Sequence, residues 1–121
     1  MNRKLRILLA AQAAAFTIAA LVHGGALIAG YEHREARIAE TVIATALAAG
    51  LLATWLWPAR AARIATVVQA FALLGTLVGL FTIAVGVGPR TVPDIVYHIA
   101  IVGVLAWGVG VAVRAGRGQT A

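Results

Sequence analysis

Residues 5–29 read LRILLAAQAAAFTIAALVHGGALIA, a run in which Arg6 is the only residue with a permanent charge. A helix of about 20 residues crosses a hydrocarbon core of about 30 Å, so this run is long enough to span a membrane. Its apolar residues follow one another without the alternation of a barrel strand, and alanine and leucine favour helix. The stretch therefore predicts a transmembrane helix.

Three more segments of the same kind follow along the chain. We expect membrane helices at about residues 5–29, 31–57, 64–87 and 94–113. The breaks between them are short and contain the helix-interrupting residues Pro58 and Pro89. Short connections place consecutive helices side by side in opposite directions. The expected fold class is therefore all-α, a four-helix transmembrane bundle with antiparallel neighbours that forms a single domain over residues 1–121.

The composition agrees with a membrane protein and excludes several kinds of chemistry. Hydrophobic residues make up 62% of the chain and charged residues 12%, whereas soluble domains are roughly half apolar and a quarter charged. The chain has no cysteine and no serine, which excludes disulfides, cysteine-ligated metals and Ser or Cys nucleophiles. It also lacks a phosphate-binding loop and a His-Glu-x-x-His pair. We therefore expect no enzyme activity, unless a bound cofactor performs redox chemistry.

The net charge of +6 indicates membrane orientation and not a nucleic-acid partner, because the basic residues flank the apolar segments. With the N-terminus inside, the cytoplasmic side carries the larger basic set: Arg3, Lys4, Arg6, Arg60, Arg63, Arg114 and Arg117. The outer side carries the smaller set: Arg34, Arg37 and Arg90. Alanine, glycine and arginine richness suggests a high-GC bacterial genome. We expect a multi-pass protein of the bacterial inner membrane with both termini in the cytoplasm.

All three histidines and all four carboxylates fall on the outer side of this topology. Ionisable residues at membrane depth usually face the bundle interior and mark functional sites. We place His23 about seven residues inside the outer end of helix 1, where it faces His98 across the bundle. His33, Arg37 and Glu40 have the i, i+4, i+7 spacing of one helix face.

These residues predict a His/carboxylate ligand site in the extracytoplasmic half of the bundle. His23 and His98 are the expected axial ligands of a haem b, with Gly24-Gly25 leaving room for the macrocycle. For a divalent metal ion, the expected ligands are His23, His33, His98 and Glu40. Asp94, Arg37 and Tyr97 are expected to support the ligands from behind. Such a site predicts electron transfer or metal handling.

Two other interpretations stay open on the same residues. A small oligomeric transporter or proton-coupled channel also needs ionisable groups at membrane depth. In a structural subunit of a membrane complex, the same groups would only satisfy one another, as in Glu40 with Arg37 or Asp94 with His98.

Small and amide side chains predict where helices meet in the lipid bilayer. Two faces of small residues offer contacts between helices, within a homo-oligomer or with a larger complex: Gly75 and Gly79, and Gly103, Ala106 and Gly110. Gln12 and Gln69 both lie in the inner third of their helices, where an amide needs a partner. A contact between the two glutamines, across helices 1 and 3, would supply that partner.

Overall fold

The computed structural model describes residues 1–120, and all its regular structure within that range is helical. The four α-helices are α1 (Asn2–His23), α2 (Arg34–Leu56), α3 (Ala61–Ala84) and α4 (Val92–Thr120). A short 3-10 turn, Pro58–Arg60, leads into α3. Each of the four helices is long and apolar enough to cross a membrane. The all-α class, with four helices of membrane-spanning length and apolarity, is therefore confirmed.

The first helix ends at His23, and the predicted end near residue 29 is wrong. The reason is the glycine pair that follows His23. The Gly24 N–H still donates to the Ala20 carbonyl at 2.9 Å, but Gly25 adopts a left-handed φ of +74°, which stops the helix. His23 consequently lies at the very end of α1 and not two turns inside it.

The second helix begins at Arg34, three residues after the predicted start, because His33 caps it. The His33 ring accepts a hydrogen bond from the Ala36 N–H at 3.2 Å, and its backbone N–H donates to the His23 carbonyl at 2.9 Å. The loop between α1 and α2 is thus closed at its base. The bond to His23 connects the end of α1 to the beginning of α2, and the bond from Ala36 caps α2.

The third and fourth helices also differ from the predicted bounds. The left-handed Gly86, with φ +85°, follows the end of α3 at Ala84. Helix α4 continues to Thr120, beyond the predicted end at residue 113, with Arg117 in its last turn. Hydropathy marks only the part of a helix that suits lipid, whereas backbone hydrogen bonding continues through the polar residues that follow.

Contacts at both ends connect α1 with α2. At one end the Asn2 side chain donates to the Pro58 carbonyl at 3.0 Å, and Arg6 donates to the Thr54 carbonyl at 2.6 Å. The Arg6 guanidinium also lies 3.8 Å over the Trp55 ring. At the other end His23 contacts Glu40. The beginning of α1 therefore lies beside the end of α2.

The interior combines large side chains from α1 with small ones from α3. Leu5, Leu9 and Phe16 are buried against alanines such as Ala65 and Ala72, which let the helices approach closely. Large apolar side chains also cover the outside of the bundle, as the exposed Phe81 and Trp107 illustrate. An apolar exterior around a packed interior suits contact with lipid.

Gln12 and Gln69 do contact each other in the interior of the bundle. The Gln12 amide donates to Gln69 Oε1 at 2.9 Å, and both side chains are buried. Gln69 Nε2 then donates to the Ala65 carbonyl at 2.9 Å and to the Gly108 carbonyl at 3.3 Å. A Cβ atom at Gly108 would overlap Gln69 Oε1. This amide centre therefore joins α1, α3 and α4, and it requires glycine at position 108.

Candidate functional site

His23 lies between two carboxylates in the interior of the bundle. Its Nδ1 is 2.7 Å from Glu40 Oε2, and its Nε2 is 2.9 Å from Asp94 Oδ1. The three residues come from α1, α2 and α4, and they are only 4%, 4% and 6% exposed. We refer to them as the Glu40–His23–Asp94 cluster. It uses both nitrogens of one imidazole ring to connect three helices.

Local structure at the helix ends fixes these side chains. Asp94 belongs to the first turn of α4, where its Oδ2 accepts from the Thr91 N–H at 3.2 Å and from the Thr91 hydroxyl. The Asp94 N–H donates back to Thr91 Oγ1 at 3.3 Å. These reciprocal bonds form a helix cap and aim the other carboxylate oxygen at His23. Thr91 is therefore a supporting residue of the cluster that the sequence analysis did not identify.

The two hydrogen bonds of His23 determine how many protons the cluster holds. Each nitrogen–oxygen pair requires one hydrogen, which belongs either to the ring or to the carboxyl group. An imidazolium between two carboxylates and a neutral imidazole beside one carboxylic acid both contain two such hydrogens. In either form the three groups carry a net charge of −1. A third proton makes the cluster neutral.

Glu40 provides the open position for that third proton. Its Oε2 is bonded to His23, whereas its Oε1 is buried and has no hydrogen-bond partner among residues 1–120. Both oxygens of Asp94 are already engaged, one by His23 and the other by Thr91. The free acceptor of the cluster is therefore Glu40 Oε1.

His98 does not occupy the position opposite His23 that the sequence suggested, because Asp94 contacts His23 there. His98 Nδ1 instead lies 2.7 Å from the backbone carbonyl of Asp94. A carbonyl can only accept, so Nδ1 carries the hydrogen and Nε2 of the neutral ring is a free acceptor. Nε2 lies beside Gly79, where an added Cβ would be 3.3 Å away.

His33 is engaged at both nitrogens in tying the loops together. Since its Nδ1 accepts from the Ala36 N–H, the hydrogen of the neutral ring is on Nε2, which donates to the Val87 carbonyl at 3.2 Å. The ring centre is 6.4 Å from that of His23. His33 thus links the α1–α2 loop to the α3–α4 loop above the cluster.

Arg37 and Tyr97 occupy different surroundings. Arg37 is exposed, and its Cδ lies beside Gly24, at 3.1 Å from where a Cβ would be. The Tyr97 ring packs edge-on against Phe16 and His98, with ring centres 6.1 and 5.5 Å apart. Its hydroxyl is buried and unpartnered within the described part of the chain.

Two cavities lie on either side of the cluster. The first, which we call the α3 cavity, has a volume of about 240 Å³ and is lined by Glu40, His98 and His33 together with residues of α3. The second, the α1–α4 cavity, has about 340 Å³ and is lined by His23, Asp94 and Tyr97 among others. The cluster is therefore in contact with one cavity through Glu40 and with the other through His23 and Asp94.

Two glycines of α3 pack against other helices of the same chain. Gly75 lies against Ile43, where a Cβ would be 3.0 Å from its Cδ1, and Gly79 lies against His98. Both also line the α3 cavity. Association of copies through this pair stays a prediction. A Cβ at Gly103 would meet nothing within 4 Å in the described structure, which leaves that second face open.

The expected metal ligands are only partly brought together. Glu40, His33 and His98 line one cavity, whereas His23 is bonded to carboxylates on both sides. Between Met1 and Thr120, no three His, Cys, Asp or Glu side chains converge as a group that could hold a metal ion. Binding of haem or metal by these residues stays a prediction.

The fold and the site together define a protein of four helices, each apolar enough to span a membrane, with a buried carboxylate–imidazole–carboxylate cluster. No family model, curated protein or solved structure matches the chain. A function for this protein therefore has to be inferred from the chemistry of the cluster and of the two cavities beside it.

Proposed function

We propose that this protein is a small proton-coupled transporter or channel that exchanges protons at the Glu40–His23–Asp94 cluster. The observation that carries this proposal is that both ring nitrogens of one buried histidine are bonded to carboxylates. A net negative charge in a low-dielectric interior is costly, which favours uptake of a further proton or of a cation. A purely structural contact would not need two buried carboxylates around one ring.

The cluster can pass a proton from one cavity to the other. A proton on Asp94 Oδ1 transfers to His23 Nε2, and the hydrogen on Nδ1 transfers to Glu40 Oε2. The imidazole ring accepts at one nitrogen and releases at the other, which is the usual chemistry of a histidine proton shuttle. Because Asp94 lines the α1–α4 cavity and Glu40 lines the α3 cavity, this transfer connects the two spaces.

In this proposal the helices alternate in direction, and both termini face the cytoplasm of a bacterium. The contacts of Asn2 with Pro58 and of His23 with Glu40 support alternating directions for α1 and α2. Arg60, Arg63 and Arg117 line one cavity. This concentration of basic residues supports a cytoplasmic position for that end of the bundle. The cluster then belongs to the extracytoplasmic half of the inner membrane. The open face at Gly103 is the surface through which copies would associate.

The direct test is proton movement in liposomes that contain the purified protein and a pH-sensitive dye. We expect an imposed pH gradient to dissipate faster than in empty liposomes, and His23→Gln to remove at least most of that difference. Glu40→Gln is expected to act in the same way. Glu32→Gln is the matched control, since Glu32 is exposed in the α1–α2 loop and bonded to the Gly30 N–H at 2.8 Å. Equal proton movement with wild type and His23→Gln would refute the proposal.

A ligand site for haem b or a divalent metal is the second candidate. The observation in its favour is that His98 Nε2 and Glu40 Oε1 are free acceptors on residues that line one cavity. For His23 to act as a ligand as well, it would have to give up one carboxylate bond. An absorption spectrum and elemental analysis of the purified protein test this alternative. A Soret band or one stoichiometric metal ion that is lost in His98→Ala would support it.

A further inference from the structure

The α3 cavity presents acceptors, and its potential donors are already used. Thr76 and Thr82 donate their hydroxyls to the carbonyls of Ala72 and Gly79, each at 2.7 Å. The His33 N–H donates to the Val87 carbonyl. In the cavity-lining loop, the backbone N–H groups of residues 87 and 88 both donate to the Thr82 carbonyl at 2.9 Å. Within residues 1–120, the lining side chains therefore offer no free donor as long as the His98 ring is neutral and the Glu40 carboxyl group is ionised.

Two free acceptors belong to residues that line the cavity, and one of them is part of the cluster with net negative charge. Glu40 Oε1 belongs to a residue only 4% exposed, and it has no partner in the described part of the protein. His98 Nε2 is an acceptor because Nδ1 carries the ring hydrogen. A solute that binds here has to supply donors, and a positive charge on it would offset the net charge of the cluster.

The size and the walls of the cavity favour an organic solute over a metal ion. An engineered cavity of about 150 Å³ holds benzene, and the α3 cavity has about 240 Å³. Phe16, Ile43 and Val78 supply apolar walls, and an aromatic face also attracts cations. Metal ions in proteins are usually held by three or more side chains, and no such group exists among residues 1–120.

We propose that the α3 cavity binds a small primary organic ammonium ion. Its N–H groups donate to Glu40 Oε1 and His98 Nε2, and its apolar part packs against Phe16 and Ile43. This inference rests on the proposed function of a proton-coupled transporter or channel, and it adds the chemical class of the solute. The ammonium ion and the third proton of the cluster compete for the same carboxylate, so binding of one opposes binding of the other. An organic cation that binds here therefore displaces the third proton of the cluster.

Titration calorimetry of the full-length protein in lipid nanodiscs tests this proposal, with n-butylammonium chloride as the probe. We expect saturable binding at one site. At a pH where the cluster already holds its third proton, binding releases that proton, and the heat then depends on the ionisation enthalpy of the buffer. The neutral analogue n-butanol has a similar shape and is expected to bind at least about tenfold more weakly, since it lacks the charge-assisted bonds.

Two variants localise the binding. Glu40→Gln is expected to lower the affinity for n-butylammonium by at least about tenfold, whereas the matched control Glu32→Gln leaves the affinity unchanged. Gly79→Ala adds a Cβ at 3.3 Å from His98 Nε2 and is expected to weaken binding without changing any charge. If Glu40→Gln does not fold, the Gly79→Ala variant and the buffer dependence of the wild type decide the question.

The outcomes separate this inference from the proposed function. Equal affinity for n-butanol and n-butylammonium, or binding of Zn²⁺ without binding of the ammonium ion, would overturn the inference. Proton movement in liposomes without ammonium binding would refute the inference and leave the proton-exchange function standing. Absence of both would refute both. Ammonium binding that depends on Glu40 and releases a proton would support both.

Discussion

The bundle has two buried polar centres, each of which joins three helices, and they do so by different chemistry. Towards the chain termini, Gln12 and Gln69 connect α1 and α3 through neutral amides and reach the backbone of α4 at Gly108. Towards the α1–α2 loop, His23 connects α1 to α2 and α4 through ionisable groups. Amides cannot take up or lose protons near neutral pH, so the first centre can only hold the helices together. The second centre can also change its charge.

The two centres therefore differ in how the stability of their variants is expected to depend on pH. Removal of a partner from either centre leaves unsatisfied polar atoms in the interior, which is destabilising. Only at the Glu40–His23–Asp94 cluster does the penalty include uncompensated charge, and charge can be removed by protonation. The stability of variants as a function of pH therefore distinguishes the two centres.

The largest loss of stability is expected for His23→Ala. The substitution leaves two buried carboxylates without the ring that separates and bonds them, and loss of one partner from a buried charged group costs about 4 kcal/mol. Unfolding in detergent at neutral pH should show this loss. The difference from wild type should shrink as the pH is lowered, because protonated carboxyl groups carry no charge. A loss of stability that is the same at acidic and neutral pH would contradict an ionisable centre.

Gly108→Ala should produce the next largest loss, at the amide centre. The added Cβ would overlap Gln69 Oε1 and lie 2.7 Å from Gln12 Nε2. Overpacking of this kind in a close-packed interior costs about 3 kcal/mol. Thermal unfolding in detergent measures the loss, which we expect to be independent of pH.

Gly103→Ala is the matched control for this prediction. It makes the same substitution in the same helix, at an exposed position where a Cβ would meet nothing within 4 Å in the described structure. Its stability should equal that of wild type or exceed it slightly, since alanine favours helix. Equal losses in Gly103→Ala and Gly108→Ala would show that helix propensity, and not the contact with the glutamines, determines the effect.

Gln12→Leu should cost about 1 kcal/mol, because it leaves Gln69 Oε1 without its donor. The double variant Gln12→Leu with Gln69→Leu should recover part of this loss, since it removes both members of the pair. Unfolding of the two single variants and the double variant forms a double-mutant cycle. A coupling energy near zero would contradict the hydrogen bond between the two amides.

The sequence was sufficient to predict the fold class, because apolar length is a direct consequence of membrane thickness. It was less informative about helix ends. The glycine pair after His23 was interpreted as space for a macrocycle, whereas its effect is to end α1. The end of α4 was missed because hydropathy falls at Arg114 while the helix continues to Thr120.

The residues of the cluster were also predictable, but their pairing was not. His23, Glu40 and Asp94 were singled out because ionisable groups at membrane depth are rare. Asp94 and His98 share one helix face, and the sequence does not tell which of them meets His23, because that depends on the rotation of α4 about its axis. The bonds from Thr91 to Asp94 fix the choice, and they are visible only in the structure.

The smallest effect on stability is expected for Tyr97→Phe. This substitution tests whether the Tyr97 hydroxyl takes part in proton exchange at the Glu40–His23–Asp94 cluster. The Tyr97 hydroxyl is buried near the cluster without a partner among residues 1–120, so its removal should leave stability unchanged or slightly raised. The ring contacts with Phe16 and His98 are kept by phenylalanine. If protons reach Asp94 through the α1–α4 cavity without help from this hydroxyl, proton movement in liposomes should equal that of wild type. Slower proton movement with unchanged stability would instead show that the Tyr97 hydroxyl is part of the proton path to the cluster. It would then act through water in the α1–α4 cavity.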